Sequence, residues 1–109
     1  MKRRYNKEHK EWRKEVIAEF GNKCAVCGAT NMLNCHHIIP SEFKAFRYDV
    51  NNGIALCPSH HTLGKWSAHK NPIWFSDWLM RTNYDLWKLA SNRLLDLAED
   101  ESIKFEYNL

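Results

Sequence analysis

CAVCGATNMLNCHHIIPSEFKAFRYDVNNGIALCPSHH, residues 24–61, gathers Cys24, Cys27, Cys35, His36, His37, Cys57, His60 and His61; His69 lies just beyond it and only His9 stands elsewhere. Cys24-Ala-Val-Cys27 and Cys57-Pro-Ser-His60 each leave two residues between ligands. That spacing lets both side chains of a clip reach one ion at about 2.0–2.3 Å, and two clips complete a tetrahedron. Gly28 permits the tight turn after the first clip. The competing readings are buried thiols or two disulfides. Alternation of Cys with His favours a metal in a reducing compartment instead. Bound zinc (Zn2+) contributes on the order of 10 kcal/mol of apparent folding free energy, against a net stability of roughly 5–15 kcal/mol for a whole domain. The ion would therefore decide whether the middle of the chain folds. Cys35, beside His36 on an expected strand, reads as a small core residue rather than a ligand.

The 109 residues suit one domain, 1–109, divided into a basic helix (1–21), a zinc-braced core (22–70) and a helical extension with a terminal strand (71–109). A chain of this size buries only about two-thirds of its unfolded surface, so a staple helps it. A hydrophobic share of 44% argues against disorder. No apolar run approaches a membrane span, and Met1-Lys2-Arg3-Arg4-Tyr5 leads into charge rather than an apolar signal core, so a cytoplasmic location is expected. The net charge of +3 conceals an asymmetry. Residues 1–23 carry eight Lys and Arg against four Glu, whereas residues 82–109 carry three Lys and Arg against six acids. The basic end suits a polyanion such as DNA, with Arg3, Arg4, Lys10 and Lys14 as candidate phosphate contacts. A solvated helix face is the alternative.

Asn6 is a cap for a helix over 7–20 that turns Trp12, Val16 and Phe20 to one side and ends at Gly21. Residues 22–30 form a knuckle. Strands are expected at Met32–Ile38, stopped by Pro40, and at Ile54–Leu56. Phe43, Phe46 and Tyr48 on the intervening loop read as packing residues. Pro58 opens a helix expected to run to Ala68. Asn71-Pro72 opens the next, and a longer helix follows from Thr82 or Asn83 with Trp87, Ala90, Leu94 and Ala98 one face apart. Trp74, Trp78 and Trp87 at helical spacing read as core rather than nucleobase platforms. Ile103, Phe105, Tyr107 and Leu109 alternate with polar residues as a terminal strand, paired either within the chain or across a dimer.

Neighbours on a strand point to opposite faces, so His36 and His37 cannot serve one ion in the same way. One can hold a metal while the other stays free for proton transfer. His60 and His61 divide similarly, His60 toward the zinc clip. Together C24-x-x-C27, H36-H37-I-I-P40, N52-x-x-x-L56-C57 and H60-H61 resemble the HNH endonuclease family over roughly residues 20–65. The resemblance implies an α+β fold with a ββα-metal core and a structural zinc knuckle, flanked by the N-terminal and C-terminal helices and the terminal strand. It implies a metal-dependent DNA endonuclease of the small kind found in phage and bacterial genomes, acting in the cytoplasm of a bacterial or phage-infected cell and leaving 5′-phosphate and 3′-hydroxyl ends. In that pattern His37 is the general base, and His36 and His61 hold a catalytic ion, Mg2+ or Mn2+, with Ni2+ and Zn2+ also suited to imidazole. Asn52 pins the loop and orients the base; Asn51 competes for this assignment. The chain departs from the family pattern with His60 where the second clip usually ends in Cys, and with Lys65 where some relatives place a further His. On a continuous helix Lys65 would share a face with His61 and could reach a phosphate, or be solvated; His69 would lie at the surface. Two rival functions remain open: a zinc-stapled DNA-binding module without turnover, and a nuclease selective for branched or nicked DNA.

Overall fold

A computed structural model describes residues 6–101. Arg3, Arg4 and the strand expected over 103–109 lie outside the described residues. The order is α1 (Lys7–Glu19), β1 (Asn34–His37), β2 (Gly53–Leu56), one wide helical turn (Ser59–Leu63), α2 (Pro72–Thr82) and α3 (Tyr84–Asp100). The fold class is α+β, and the β1–β2–turn unit is consistent with the ββα arrangement that the resemblance implies.

The first helix forms as its sequence dictates. Asn6 accepts the amide of His9 at 2.8 Å, satisfying one of the unpaired donors of the first turn. Trp12 and Val16, one turn apart, are the residues it buries fully, and they face the sheet. Strands β1 and β2 pair antiparallel, with Asn34 opposite Leu56, Cys35 opposite Ala55, His36 opposite Ile54 and His37 opposite Gly53. Strand β1 is shorter than expected. Met32 adopts φ +54° and is solvent-exposed, so the chain is still turning where alternation suggested a strand. All four residues of β2 are buried: α1 covers one face, while Ile54 and Leu56 join Phe75 and Leu79 of α2 in the core on the other. Burial of each such side chain is worth about 1.5–3 kcal/mol.

The loop between the strands is tied down by one residue. The Asn52 side chain is 1% exposed. Its Oδ1 accepts the Ile39 amide at 2.7 Å, and its Nδ2 donates to the carbonyls of Ile39 and Phe46, each at 3.1 Å. A buried amide serving three backbone groups leaves none of them orphaned. Asn51, by contrast, is exposed, so Asn52 is the pin.

Opposite His37, Gly53 lets α1 approach the sheet. A Cβ there would lie 2.6 Å from Val16 Cγ2, 2.8 Å from Trp12 and 3.0 Å from Cys35 Sγ. Its backbone is extended, φ −135° and ψ 154°, so Gly53→Ala tests sterics without a dihedral penalty. The substitution is expected to lower stability by about 1–3 kcal/mol, the usual cost of overpacking, read from the denaturant midpoint of the zinc-loaded protein. An unchanged midpoint would contradict this account of the α1–sheet contact.

The helix expected over 58–68 is only one turn. Gly64 takes an extended conformation, φ −84° and ψ 161°, and a Cβ there would come within 2.6 Å of the Ser59 carbonyl oxygen. The chain then folds back, with the amides of Ala68 and His69 donating to the carbonyls of His60 and His61 at 2.9 and 3.1 Å. Lys65 therefore does not share a helix face with His61, and its expected route to a phosphate is corrected. Helix α2 begins as expected, with Asn71 accepting from the Trp74 amide at 3.2 Å. Trp74, Trp78 and Trp87 are partly buried against the core.

Candidate active site

The first clip is shaped by its own backbone. The Cys24 amide donates to the Ala29 carbonyl at 2.8 Å and the Gly28 amide to the Cys24 carbonyl at 2.9 Å, while the Ala25 amide ties the knuckle to Ala55 of β2 at 2.9 Å. These bonds carry Cys24 and Cys27 to the far end of β2, where Cys57 and His60 begin the helical turn. One ligand atom from each of Cys24, Cys27, Cys57 and His60 lies within 4.8 Å of all the others. Cys24 Sγ is 4.0 Å from His60 Nδ1, Cys27 Sγ is 3.8 Å from Cys57 Sγ, and Cys57 Sγ is 3.3 Å from His60 Nδ1. Tetrahedral zinc would set thiolate pairs about 3.8 Å apart and a thiolate–imidazole pair about 3.6 Å apart. The four donors fit such an ion. Burial pushes the Cys24 thiol up, but hydrogen bonds from the Cys57, Cys27 and Val26 backbone outweigh it and leave the group below its ordinary value. A lowered thiol favours the thiolate, which is the form that binds metal. Cys35 stands apart on the α1 side of the sheet, its thiol pushed up to about 12, chiefly by burial.

A second group collects on the other side of the turn. His36 from β1, His61 from the turn and His69 from the fold-back each offer a ring nitrogen within 4.8 Å of the others. His61 Nε2 and His69 Nε2 are 3.2 Å apart. The His36 ring meets both edge-on, at centroid distances of 5.3 and 5.0 Å, and rests against Phe75 at 5.2 Å. Adjacent ligands at about 2.1 Å from one ion stand about 3.0–3.4 Å apart, so this donor set also fits a divalent cation. Burial drives the His36 pKa down to about 3, with His61, His69 and His37 adding to the effect. Burial and then His69 lower that of His61. Both are neutral at pH 7, the state that can donate a lone pair to a metal.

His69 is exposed, as a surface residue should be, yet it belongs to this group; a continuous helix would have carried it elsewhere. Gly64, inside the segment read as a helix, was the available signal.

His37 points away from that trio. Its ring stacks on Trp12 at 4.2 Å and 16°, and its Nε2–H donates to the Arg47 carbonyl at 2.9 Å. A carbonyl can only accept, so the proton sits on Nε2 and Nδ1 keeps its lone pair. Burial, the larger influence, holds its pKa below the ordinary imidazole value despite that bond. His36, His37, His61 and His69 all line one cleft of about 1010 Å³, walled by His9 and Arg13 of α1 on one side and by α2 and α3 on the other. Lys10, Lys14 and Lys65 are exposed and are not among the residues that line it. The guanidinium of Arg13 donates to the Leu33 carbonyl. Among the described residues, no helix is long and apolar enough to cross a membrane.

Neither a curated protein nor a solved structure matches the chain significantly. A family model described as HNH endonuclease does match, from the first Cys of the zinc group to the Gly that ends the helical turn. The ββα unit and most of the ligands of both clusters lie within the matched segment, so residues 24–64 of this chain are similar to the HNH endonuclease family.

Proposed function

We propose that the protein is a metal-dependent DNA endonuclease in which His37 is the general base, His36, His61 and His69 hold the catalytic ion, and Cys24, Cys27, Cys57 and His60 hold a structural zinc. The observation that carries this reading is the division of labour between neighbours on β1. His36 joins the imidazoles of His61 and His69, while His37 keeps a free Nδ1 in the same cleft. Stacking on Trp12 and the bond to Arg47 fix the His37 ring so that Nδ1 can take a proton from water without reorganising. Asn52 keeps the loop that supplies the Arg47 carbonyl in place. A divalent cation, when bound, supplies charge stabilisation to the scissile phosphate and the departing 3′ oxygen. Cleavage on that side gives 5′-phosphate and 3′-hydroxyl ends. Lys10 and Lys14, exposed on α1, and Arg3 and Arg4 ahead of it would add sequence-independent attraction to phosphates outside the cleft.

Supercoiled plasmid tests this. Protein loaded with zinc alone is expected to leave plasmid intact, and addition of magnesium or manganese to convert it to nicked or linear forms whose ends a ligase can rejoin. Binding without metal-stimulated cutting would instead favour a non-catalytic DNA-binding module.

A further inference from the structure

The C-terminal helix reaches the supports of His37 through one ion pair. Arg93 of α3 holds Asp49 across 44 residues of sequence, its Nη2 2.7 Å from Asp49 Oδ2. Side-chain exposures of 21% for Arg93 and 30% for Asp49 set this pair apart from the surface pairs, in which screening cancels most of the gain. The same guanidinium lies over the Phe46 ring, 4.4 Å from its centroid. It thus grips the loop at two points, flanking the Arg47 carbonyl that fixes the His37 ring. Asp49 is the junction of this loop. Its Oδ1 accepts the Asn51 amide at 2.9 Å, and its carbonyl accepts Trp12 Nε1 at 2.7 Å and the Asn52 amide at 2.9 Å. Trp12 is the residue on which His37 stacks. Both supports of the imidazole, the carbonyl below its Nε2 and the indole against its face, therefore converge on the segment that Arg93 clamps.

We propose that Arg93 is a positioning residue for His37, acting through Asp49 and Phe46; this rests on the reading of His37 as the base. A planar guanidinium can stack on a ring and bond a carboxylate at once, whereas an ammonium keeps the charge and loses the fork. Arg93→Lys should consequently restore part of what Arg93→Gln loses.

The test compares the zinc-loaded full chain with Arg93→Gln, Arg93→Lys and Asp49→Asn in magnesium-dependent plasmid cleavage. Thermal melts and the visible absorption of cobalt titrated into the imidazole site are recorded alongside. A displacement of about 1 Å at a reacting group can cost on the order of 100-fold, so folded Arg93→Gln is expected to lose about 10- to 100-fold in kcat. KM for plasmid and cobalt binding should stay unchanged, and Arg93→Lys should fall between. Wild-type kcat in folded Arg93→Gln, or a matching loss in KM and cobalt binding, overturns the proposal. Should Arg93→Gln fail to fold, Asp49→Asn is judged by the same criteria, and failure of both to fold marks the clamp as purely structural and overturns it too. The two readings fail separately. Normal cleavage by His37→Ala removes the base, whereas an inactive His37→Ala beside fully active Arg93→Gln and Asp49→Asn removes only the clamp.

Discussion

Stripped of zinc, or carrying Cys24→Ser, this protein is expected to lose its cooperative unfolding transition and the structure of its middle third. The four donors lie on the two segments that bracket the β1–β2 hairpin, one before β1 and one after β2. An ion there closes the unit with ligands none of which lines the cleft. The apolar core is modest: Trp12 and Val16 of α1, the short β2, Phe75 and Leu79 of α2, and Leu33, Ile39, Ala68 and Ala90 around them. A structural zinc contributes about 10–16 kcal/mol of apparent free energy, as much as the whole net stability of a typical domain, roughly 5–15 kcal/mol. Without it three thiols and an imidazole converge with nothing to hold them, and the knuckle keeps only a few backbone bonds. Metal analysis should find about one zinc per folded chain, and circular dichroism should follow its removal. A sharp melt in metal-free protein, at the temperature of the loaded form, would refute the staple.

The second large effect concerns chemistry alone. His37→Ala is expected to lower cleavage by about 100- to 10,000-fold, the usual contribution of a positioned general base, while zinc content and melting temperature stay close to those of the parent. His37 is only partly buried and lies opposite Gly53, so its removal opens the cleft rather than a cavity in the core. What is lost is the Nδ1 lone pair, together with the stack on Trp12. Plasmid cleavage under single-turnover conditions measures the loss. A folded variant that cuts at the parental rate would show that another group, or hydroxide from bulk water, removes the proton.

Much of this architecture is legible in the sequence alone. The two clips are readable because metal ligation depends on short spacings, and the opposed directions of His36 and His37 because a strand alternates its side chains regardless of context. Asn52 could be separated from Asn51 only by its distance from Leu56-Cys57; the structure adds the three bonds that make one of them a buried pin. The helix expected after Pro58 stops early although propensity and ligand spacing both tolerate its continuation; the close approach of Gly64 to the Ser59 carbonyl is a constraint of the folded chain. With that helix went the placement of His69 and Lys65. Asp49, Trp12 and Arg93 were not recognised as a support for His37 because their link spans dozens of residues and leaves no periodic trace. No local rule announces such a contact.

A single peptide bond separates His60, which belongs to the thiol cluster, from His61, which belongs to the imidazole cluster. The two centres are thus mechanically married. Substituting a bulkier soft cation such as cadmium would spread the sulfur cage, swing the shared backbone like a short lever and tilt the neighbouring ring. A disturbance of the sulfur cage would thereby be felt by the imidazoles without anything entering the cleft they line.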